Sequence, residues 1–478
     1  MKGDDVIEIS KDRELLFIGG RWTEPHGGAW IDVESPTTEE IIGRVPRPSI
    51  ADGEAAVAAA REAFDEGPWP HLEPGERAAC LERLADGLDA RAEGMALILA
   101  AELGAPLPLA DGLNRSGTSS IRACAALADQ IPFEEERRTG ADDLRIIREP
   151  VGVVLGIVPW NAPLALAGQK IGSALMAGCT LVLKPAIEDP LVAYALADAA
   201  AEAGFPDGVI SILPADRDVG EAMVRDPRVD HISFTGSSAV GRRIMGIAAE
   251  RIARVSLELG GKSAAIVLDD ADLDQALPFL VRGGARNTGQ VCVALTRLLV
   301  SRNRHDEVVE ALRDAFEALV VGDPLDPATE MGPLVSRRQR HRVEDYLQVG
   351  RAEGAVVVTG GGRPAGLERG WFVEPTIFDG VTSEMRIARE EIFGPVVAVL
   401  TYEDEDDAVR IANDSAYGLA GSIFSADVDR ALALARRIRT GTLAINGAGP
   451  STVEPIGGFK QSGLGRECGV EGILELLE

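Results

Sequence analysis

The sequence predicts an α/β protein built from two large domains. Its 478 residues exceed what one hydrophobic core usually organises. From Val151 onward, short β-rich runs alternate with Ala-rich helical stretches, and a second set of such runs begins near Ala264. That rhythm implies parallel strands joined by crossover helices.

Two helical patterns come first. Val57, Ala60 and Phe64 follow a predicted N-cap at Asp52, and Leu81, Leu84 and Leu88 repeat the spacing. The first strand set is Val151 to Val158, Thr180 to Lys184, Val209 to Leu213, and His231 to Phe234. The second is Ala264 to Leu268, Leu298 to Val300, Val396 to Leu400, Ser422 to Phe424, and Thr442 to Asn446. Gly360 to Gly370 is turn-rich, but no strand-to-helix junction with a following Lys-Ser/Thr makes it a phosphate loop, so it reads as surface loop.

Apolar residues at 46% and charged residues at 26% are the balance of a globular chain. A formal charge of -28 repels a phosphate backbone, and no basic patch with interleaved aromatics occurs, which argues against nucleic acid as a partner. The five cysteines are widely spaced and form no metal knuckle or redox pair, so no metal site is expected and a reducing compartment fits. Residues Met1 to Arg13 are charged, and nowhere do about 18 apolar residues run uninterrupted. No membrane association is expected, and the expected location is the cytoplasm.

The ordinary G-x-G-x-x-G dinucleotide fingerprint is absent. In its place Phe234-Thr235-Gly236-Ser237 closes a strand, with Gly241 in the helical stretch that follows. Backbone N–H groups at such a helix start favour a phosphate, although the same pattern serves as a plain connection in many α/β proteins. Val158-Pro159-Trp160-Asn161 and Lys184 also lie at strand C-terminal ends, where open α/β sheets bind ligands.

Cys292 follows Gly289-Gln290-Val291, and Glu258 precedes Leu259-Gly260-Gly261-Lys262 at a strand end between the two sets. Taken singly, the cysteine reads as an inert buried thiol and the glutamate as a solvated charge.

Together with Gly20-Arg21-Trp22, Lys184-Pro185, Glu391-Ile392-Phe393-Gly394-Pro395, Gly457-Gly458-Phe459-Lys460-Gln461-Ser462-Gly463 and Gly465-Arg466-Glu467, these motifs occur in an order that resembles the aldehyde dehydrogenase superfamily over nearly the whole chain. The resemblance implies a Rossmann-like cofactor domain at 1–127 and 151–261, and an α/β catalytic domain at 262–457. It also implies a small β oligomerisation arm and tail at 128–150 and 458–478, supporting a homodimer or homotetramer. It implies oxidation of an aldehyde to its carboxylic acid, with Cys292 as nucleophile, Glu258 as base, and Asn161 with the Cys292 N–H as oxyanion donors. Relatives that pass the acyl group to coenzyme A generally lack the base, so Glu258 favours a free acid over the acylating alternative. A non-catalytic NAD-binding relative is the other reading.

By the same resemblance, Lys170 and Glu467 stand behind Glu258 as a proton route. Lys184 would meet the adenosine ribose, Trp160, Gly236 and Ser237 the pyrophosphate, and Glu391 the nicotinamide ribose. Val158, Pro159, Gly241, Leu259 and Phe393 complete the cofactor set. Many NAD-preferring relatives carry a glutamate where this chain has Ile187, which leaves NADP possible. No Arg or Lys stands beside Ile187 in sequence, so NAD is the expected cofactor. The pocket residues Ala162, Gln169, Val291, Val293 and Ile456 include no aromatic, which predicts a roomy apolar pocket for a bulky aliphatic, terpenoid or aromatic aldehyde. The chain stops 11 residues after Glu467, which predicts either a truncated chain or a short tail at the subunit contact.

Overall fold

The computed structural model describes residues 12–139, 142–447 and 453–478. The first domain is an eight-stranded sheet in the spatial order Gly463–Leu464, Arg254–Glu258, His231–Thr235, Val153–Ile157, Thr180–Lys184, Ile210–Ile212, Leu16–Ile18, Arg21–Thr23. Its five central strands run parallel, and the outer ones are antiparallel. The central strands are buried along their length apart from the start of Arg254–Glu258, as expected when helices cover both faces of a parallel sheet.

The parallel part of this sheet begins at Val153–Ile157 and winds outward through Thr180–Lys184 and Ile210–Ile212; the chain then returns to place His231–Thr235 on the other side of Val153–Ile157. The switch point therefore lies between the ends of Val153–Ile157 and His231–Thr235, where a crevice opens. Helix Pro163–Ala177 leaves that point and packs closely on helix Leu107–Ala125. A Cβ on Gly168 would lie 2.3 Å from the Gly117 carbonyl oxygen, so only glycine lets the backbones meet this closely.

The second domain is a seven-stranded sheet in the order Val356–Thr359, Thr376–Asp379, Val396–Tyr402, Arg297–Ser301, Ala264–Val267, Ala420–Phe424, Thr442–Ile445. All its pairings are parallel except the first. Two separate ribbons, Trp30–Glu34 with Ile41–Pro46 and Glu134–Thr139 with Asp142–Ile147, complete the strands.

The predicted strands of both sets are present. Helix Ile50–Asp65 begins earlier than the sequence suggested, because Ser49 and not Asp52 is its N-cap. Asp52 is the third helical residue, and its carboxylate accepts from the Ser49 N–H at 2.7 Å in a capping box. Segment 458–478, read from sequence as arm and tail, returns to the first domain. Gly463–Leu464 pairs with Arg254–Glu258, and Ile473, Leu476 and Leu477 join that domain's core.

Candidate active site

Five residues, Glu258 to Lys262, carry the chain from the last parallel strand of the first sheet towards strand Ala264–Val267 of the second. They thread between two loops. A Cβ on Gly261 would fall 2.3 Å from the Cys292 carbonyl oxygen, and one on Gly260 would fall 2.4 Å from Glu391 Oε2. The backbone contact at Gly261 excludes any larger residue, whereas a Cβ at Gly260 would push the Glu391 carboxylate aside. The Gly261 N–H donates to Glu391 Oε1 at 2.9 Å, and the Ser462 hydroxyl donates to the Gly260 carbonyl at 2.7 Å. On the far side the buried Arg297 guanidinium donates to the carbonyls of Lys262, Ile411 and Ala412.

Cys292 sits after a turn in which Asn287, Thr288 and Gly289 all have positive φ (52°, 56° and 69°). For Asn287 and Thr288 that conformation is strained, and several hydrogen bonds hold it. Gln290 Nε2 donates to the Asn287 carbonyl at 3.0 Å, Gln290 Oε1 accepts from the Val335 N–H at 3.0 Å, and the Thr288 hydroxyl donates to the Gly332 carbonyl at 2.9 Å. Asn161 is tied to the same turn. Its Nδ2 donates to the Gln290 carbonyl at 3.0 Å, and its own carbonyl accepts from Asn287 Nδ2 at 2.9 Å. One N–H of the Asn161 amide is left for another acceptor.

Cys292 is half-buried and lines a cavity of about 300 Å³ together with Glu258. Burial first, then the nearby charges of Glu391 and Glu258, push its thiol up to about 12. The sulfur is therefore a thiol at neutral pH and needs a base to become a nucleophile. Glu258 is buried with its Oε1 unpartnered among the described residues. Burial, and next the charge of Glu467, push its carboxyl up to about 8, with Lys170 pulling the other way. Lys170 and Glu467 do meet behind it, Nζ to Oε1 at 2.5 Å, and Ser233 bonds to both at 2.9 and 2.8 Å.

A second cavity, of about 340 Å³, opens at the switch point against Val158, Pro159, Lys184 and Gly236. Thr235 lines both cavities, and its buried hydroxyl has no partner among the described residues. Lys184 Nζ donates to the carbonyls of Pro185 and Ala215, leaving a third N–H for a ligand hydroxyl. Val240, Ile244 and Ile247 give one wall an apolar face suited to a flat heterocycle. Ser237 caps helix Ser238–Ala249, whose start faces this cavity, and Gly241 allows the helix to lie against Leu259. From the second domain come Glu391, placed at the crossover, and Phe393, whose ring meets Trp160 edge-on at 5.4 Å. Strand-end N–H groups, a helix start, a lysine and an apolar wall together fit a dinucleotide.

Of the pocket residues, Gln169, Val291, Val293 and Ile456 line the cavity of Cys292. Ala162 does not: it precedes helix Pro163–Ala177 as its N-cap, and Leu166, one turn later, takes the wall position. The neighbourhood of Ile187 also needs correction. In space it holds Arg217, Arg243 and Arg338, contributed by other elements. Arg338 pairs with Glu188 at 3.1 Å and Arg243 with Glu221 at 2.7 Å, so carboxylates accompany these cations. The sequence reading also missed Ser233, Asn287 and Gln290, which are ordinary polar residues until folding brings them to the site.

Two α/β domains meeting at a switch-point crevice, with a cysteine and a buried carboxylic acid at its inner end, define a dehydrogenase. The aldehyde dehydrogenase family model matches residues 22–478, and the chain belongs to that family. It is 46% identical to the geranial dehydrogenase of Castellaniella defragrans, over 97% of each chain. It is 42% identical to a 3-succinoylsemialdehyde-pyridine dehydrogenase from a Pseudomonas species, over 98% of each. A crystal structure of a Mycobacterium tuberculosis aldehyde dehydrogenase complexed with NAD+ superposes with a TM-score of 0.97 at 48% identity, covering 98% of this chain and 97% of that one.

The coupling of Glu258 to Glu467 has a measurable consequence. If Glu258 serves as a base it must be ionised, and steady-state turnover is then expected to rise with pH through a midpoint of about 8. Removing the negative charge in Glu467→Gln lowers that midpoint, and removing the positive charge in Lys170→Met raises it. A pH–rate profile unmoved by either substitution would show that this triad does not act on Glu258.

Proposed function

We propose that the chain oxidises an aldehyde to its carboxylic acid with NAD as hydride acceptor, Cys292 as nucleophile and Glu258 as general base. The observation that supports it most is that Cys292 and Glu258 line one cavity, which shares Thr235 with the dinucleotide crevice. The Cys292 thiol passes its proton through water in the cavity to bulk solvent, and the sulfur bonds to the aldehyde carbon as the carbonyl π pair moves to oxygen. The resulting oxyanion is received by the second Asn161 amide N–H and the Cys292 backbone N–H; one such donor is typically worth roughly 3 to 4 kcal/mol. Lys184, Gly236 and the walls of the adjoining crevice would hold NAD, which would supply a hydride acceptor; the carbon, relieved of its hydride, would be left as a thioester on Cys292. Glu258 then takes a proton from water, the hydroxide adds to the thioester carbon, and the C–S bond breaks to return the thiol and release the acid.

The walls formed by Leu166, Val291, Val293, Leu419 and Ile456 favour an aldehyde with an apolar or aromatic body. The named activities of the two relatives, on geranial and on a pyridine-bearing semialdehyde, are consistent with that breadth. The carboxylates of Glu188 and Glu221 beside Ile187 favour NAD over a cofactor bearing a 2′-phosphate.

Stopped-flow and steady-state assays with NAD and NADP test this reading. Cys292→Ala is expected to give no turnover. Glu258→Gln is expected to release one burst of reduced cofactor and then stall at the thioester. Sustained turnover by Glu258→Gln would assign the base elsewhere, and a higher kcat/KM with NADP would reverse the cofactor assignment.

The ribbon Glu134–Thr139 with Asp142–Ile147 supports a further part of the proposal. A two-stranded ribbon is marginal alone, and this one exposes Leu144 and Ile147 at 51% and 59%. We assign it to the contact between subunits of a homodimer or homotetramer. Light scattering is expected to give the mass of two or four chains, and a monomer would remove the assignment.

A further inference from the structure

A third cavity lies in the second domain, where the strands Ala264–Val267, Arg297–Ser301, Ala420–Phe424 and Thr442–Ile445 begin. Lys262, Ser263, Arg297, Tyr417, Arg439 and Thr440 supply its polar lining. Its volume is about 20 Å³, room for one body of the size of a water molecule. Lys262 ends the glycine crossover and Ser263 follows it, both buried, at 2% and 3% exposure. Three buried polar atoms of this lining have no partner among the described residues: Lys262 Nζ, Ser263 Oγ and Thr440 Oγ1. All three carry donors, and an ammonium carries nothing else.

The charges around them have one sign. Three cations, Lys262, Arg297 and Arg439, line the cavity and no Asp or Glu does, in a chain where acids outnumber Lys and Arg by 76 to 48. The Arg297 guanidinium donates to three carbonyls, which satisfy its N–H groups without neutralising it. The acids that act on Lys262, Glu391 and Glu390, are engaged elsewhere. Glu391 accepts from the Gly261 N–H, and Glu390 from Arg386 and the Tyr346 hydroxyl. Burial first, and then the charge of Arg297, push the Lys262 ammonium down to about 7. A buried ammonium without a counter-ion is costly, and either loss of its proton or a bound anion relieves that cost.

We propose that this cavity binds one small monatomic anion, a halide of the chloride class, held by Lys262 Nζ and by the Ser263 and Thr440 hydroxyls. A halide accepts from all three donors at once and supplies the negative charge that the lining lacks. The volume excludes sulfate, phosphate and carboxylates. Because Lys262 and Ser263 lead from the crossover into Ala264–Val267, the ion ties that backbone to Thr440, just before Thr442–Ile445. The site stands independently of the reaction proposed at Cys292.

Two measurements on the whole chain test it: bromide soaked into crystals, and melting in potassium chloride against potassium gluconate at equal ionic strength. Gluconate is too large to enter. An anomalous bromide peak is expected in the cavity beside Lys262 Nζ. Chloride at about 0.2 M is expected to raise the melting temperature by about 1 to 3 °C over gluconate. Lys262→Met is expected to abolish both signals. Thr440→Val keeps the lysine and removes one donor at nearly constant volume; it is expected to weaken both, and it decides the matter if Lys262→Met does not fold. A cavity that holds only water after the soak overturns the proposal. So does a bromide peak at crystal concentration only, with no chloride-dependent rise in melting temperature. A rise that persists undiminished in a folded variant is a general salt effect and overturns it as well.

Discussion

The architecture of the site depends on how closely one five-residue crossover passes between its neighbours. Glu258 ends a strand of the first sheet, and two residues after Lys262 strand Ala264–Val267 of the second sheet begins. In that short span the backbone must pass the Cys292 carbonyl on one side and the Glu391 carboxylate on the other, at distances that leave no room for a Cβ. Gly261 is therefore a steric requirement, Gly260 leaves the Glu391 carboxylate in place, and the conformational freedom both bring is a cost that the surrounding bonds must offset. Ser462, Glu391 and Arg297 hold the strand of backbone at three points. One consequence is that Glu258, Cys292 and Glu391 are registered against each other through the main chain.

The electrostatics follow from that compactness. Packing Cys292, Glu258 and Glu391 into a poorly solvated junction raises the proton affinity of all three, because burial penalises each charged form; the charges of Glu391 and Glu258 add to the effect on Cys292, and that of Glu467 to the effect on Glu258. A thiol pushed up to about 12 is an inert group in isolation. Beside an acid pushed up to about 8, it belongs to a site whose protons can be moved near neutral pH. The Lys170–Glu467–Ser233 cluster then sets where Glu258 titrates without touching Cys292.

Much of this was legible in the chain itself. Parallel strands announced themselves as short buried runs, and ordered motifs picked out Cys292, Glu258, Asn161 and the crevice residues from many equivalent-looking polar positions. Local sequence was weaker wherever meaning depends on a distant partner. Asp52 looked like a helix cap because the capping box that uses Ser49 gives both residues a cap-like role. Ala162 looked like pocket wall because its distance along the chain, and not its place before the helix, was visible. The arginines near Ile187 arrive from Arg217, Arg243 and Arg338, more than 25 positions away, and no local window could register them. Ser233 and Gln290 carry no signature of their own, and their importance lies in the bonds they make after folding.

The central claim is that the glycine crossover fixes the position of Cys292, and Gly261→Ala tests it most directly. The variant is expected to fold, with a lowered melting temperature because the Cys292 backbone must shift to admit the Cβ. Displacing the Cys292 backbone by about 1 Å is then expected to lower the burst of reduced cofactor at least about 100-fold, the scale on which misplaced reacting groups lose rate. A folded Gly261→Ala protein with an undiminished burst would contradict the account.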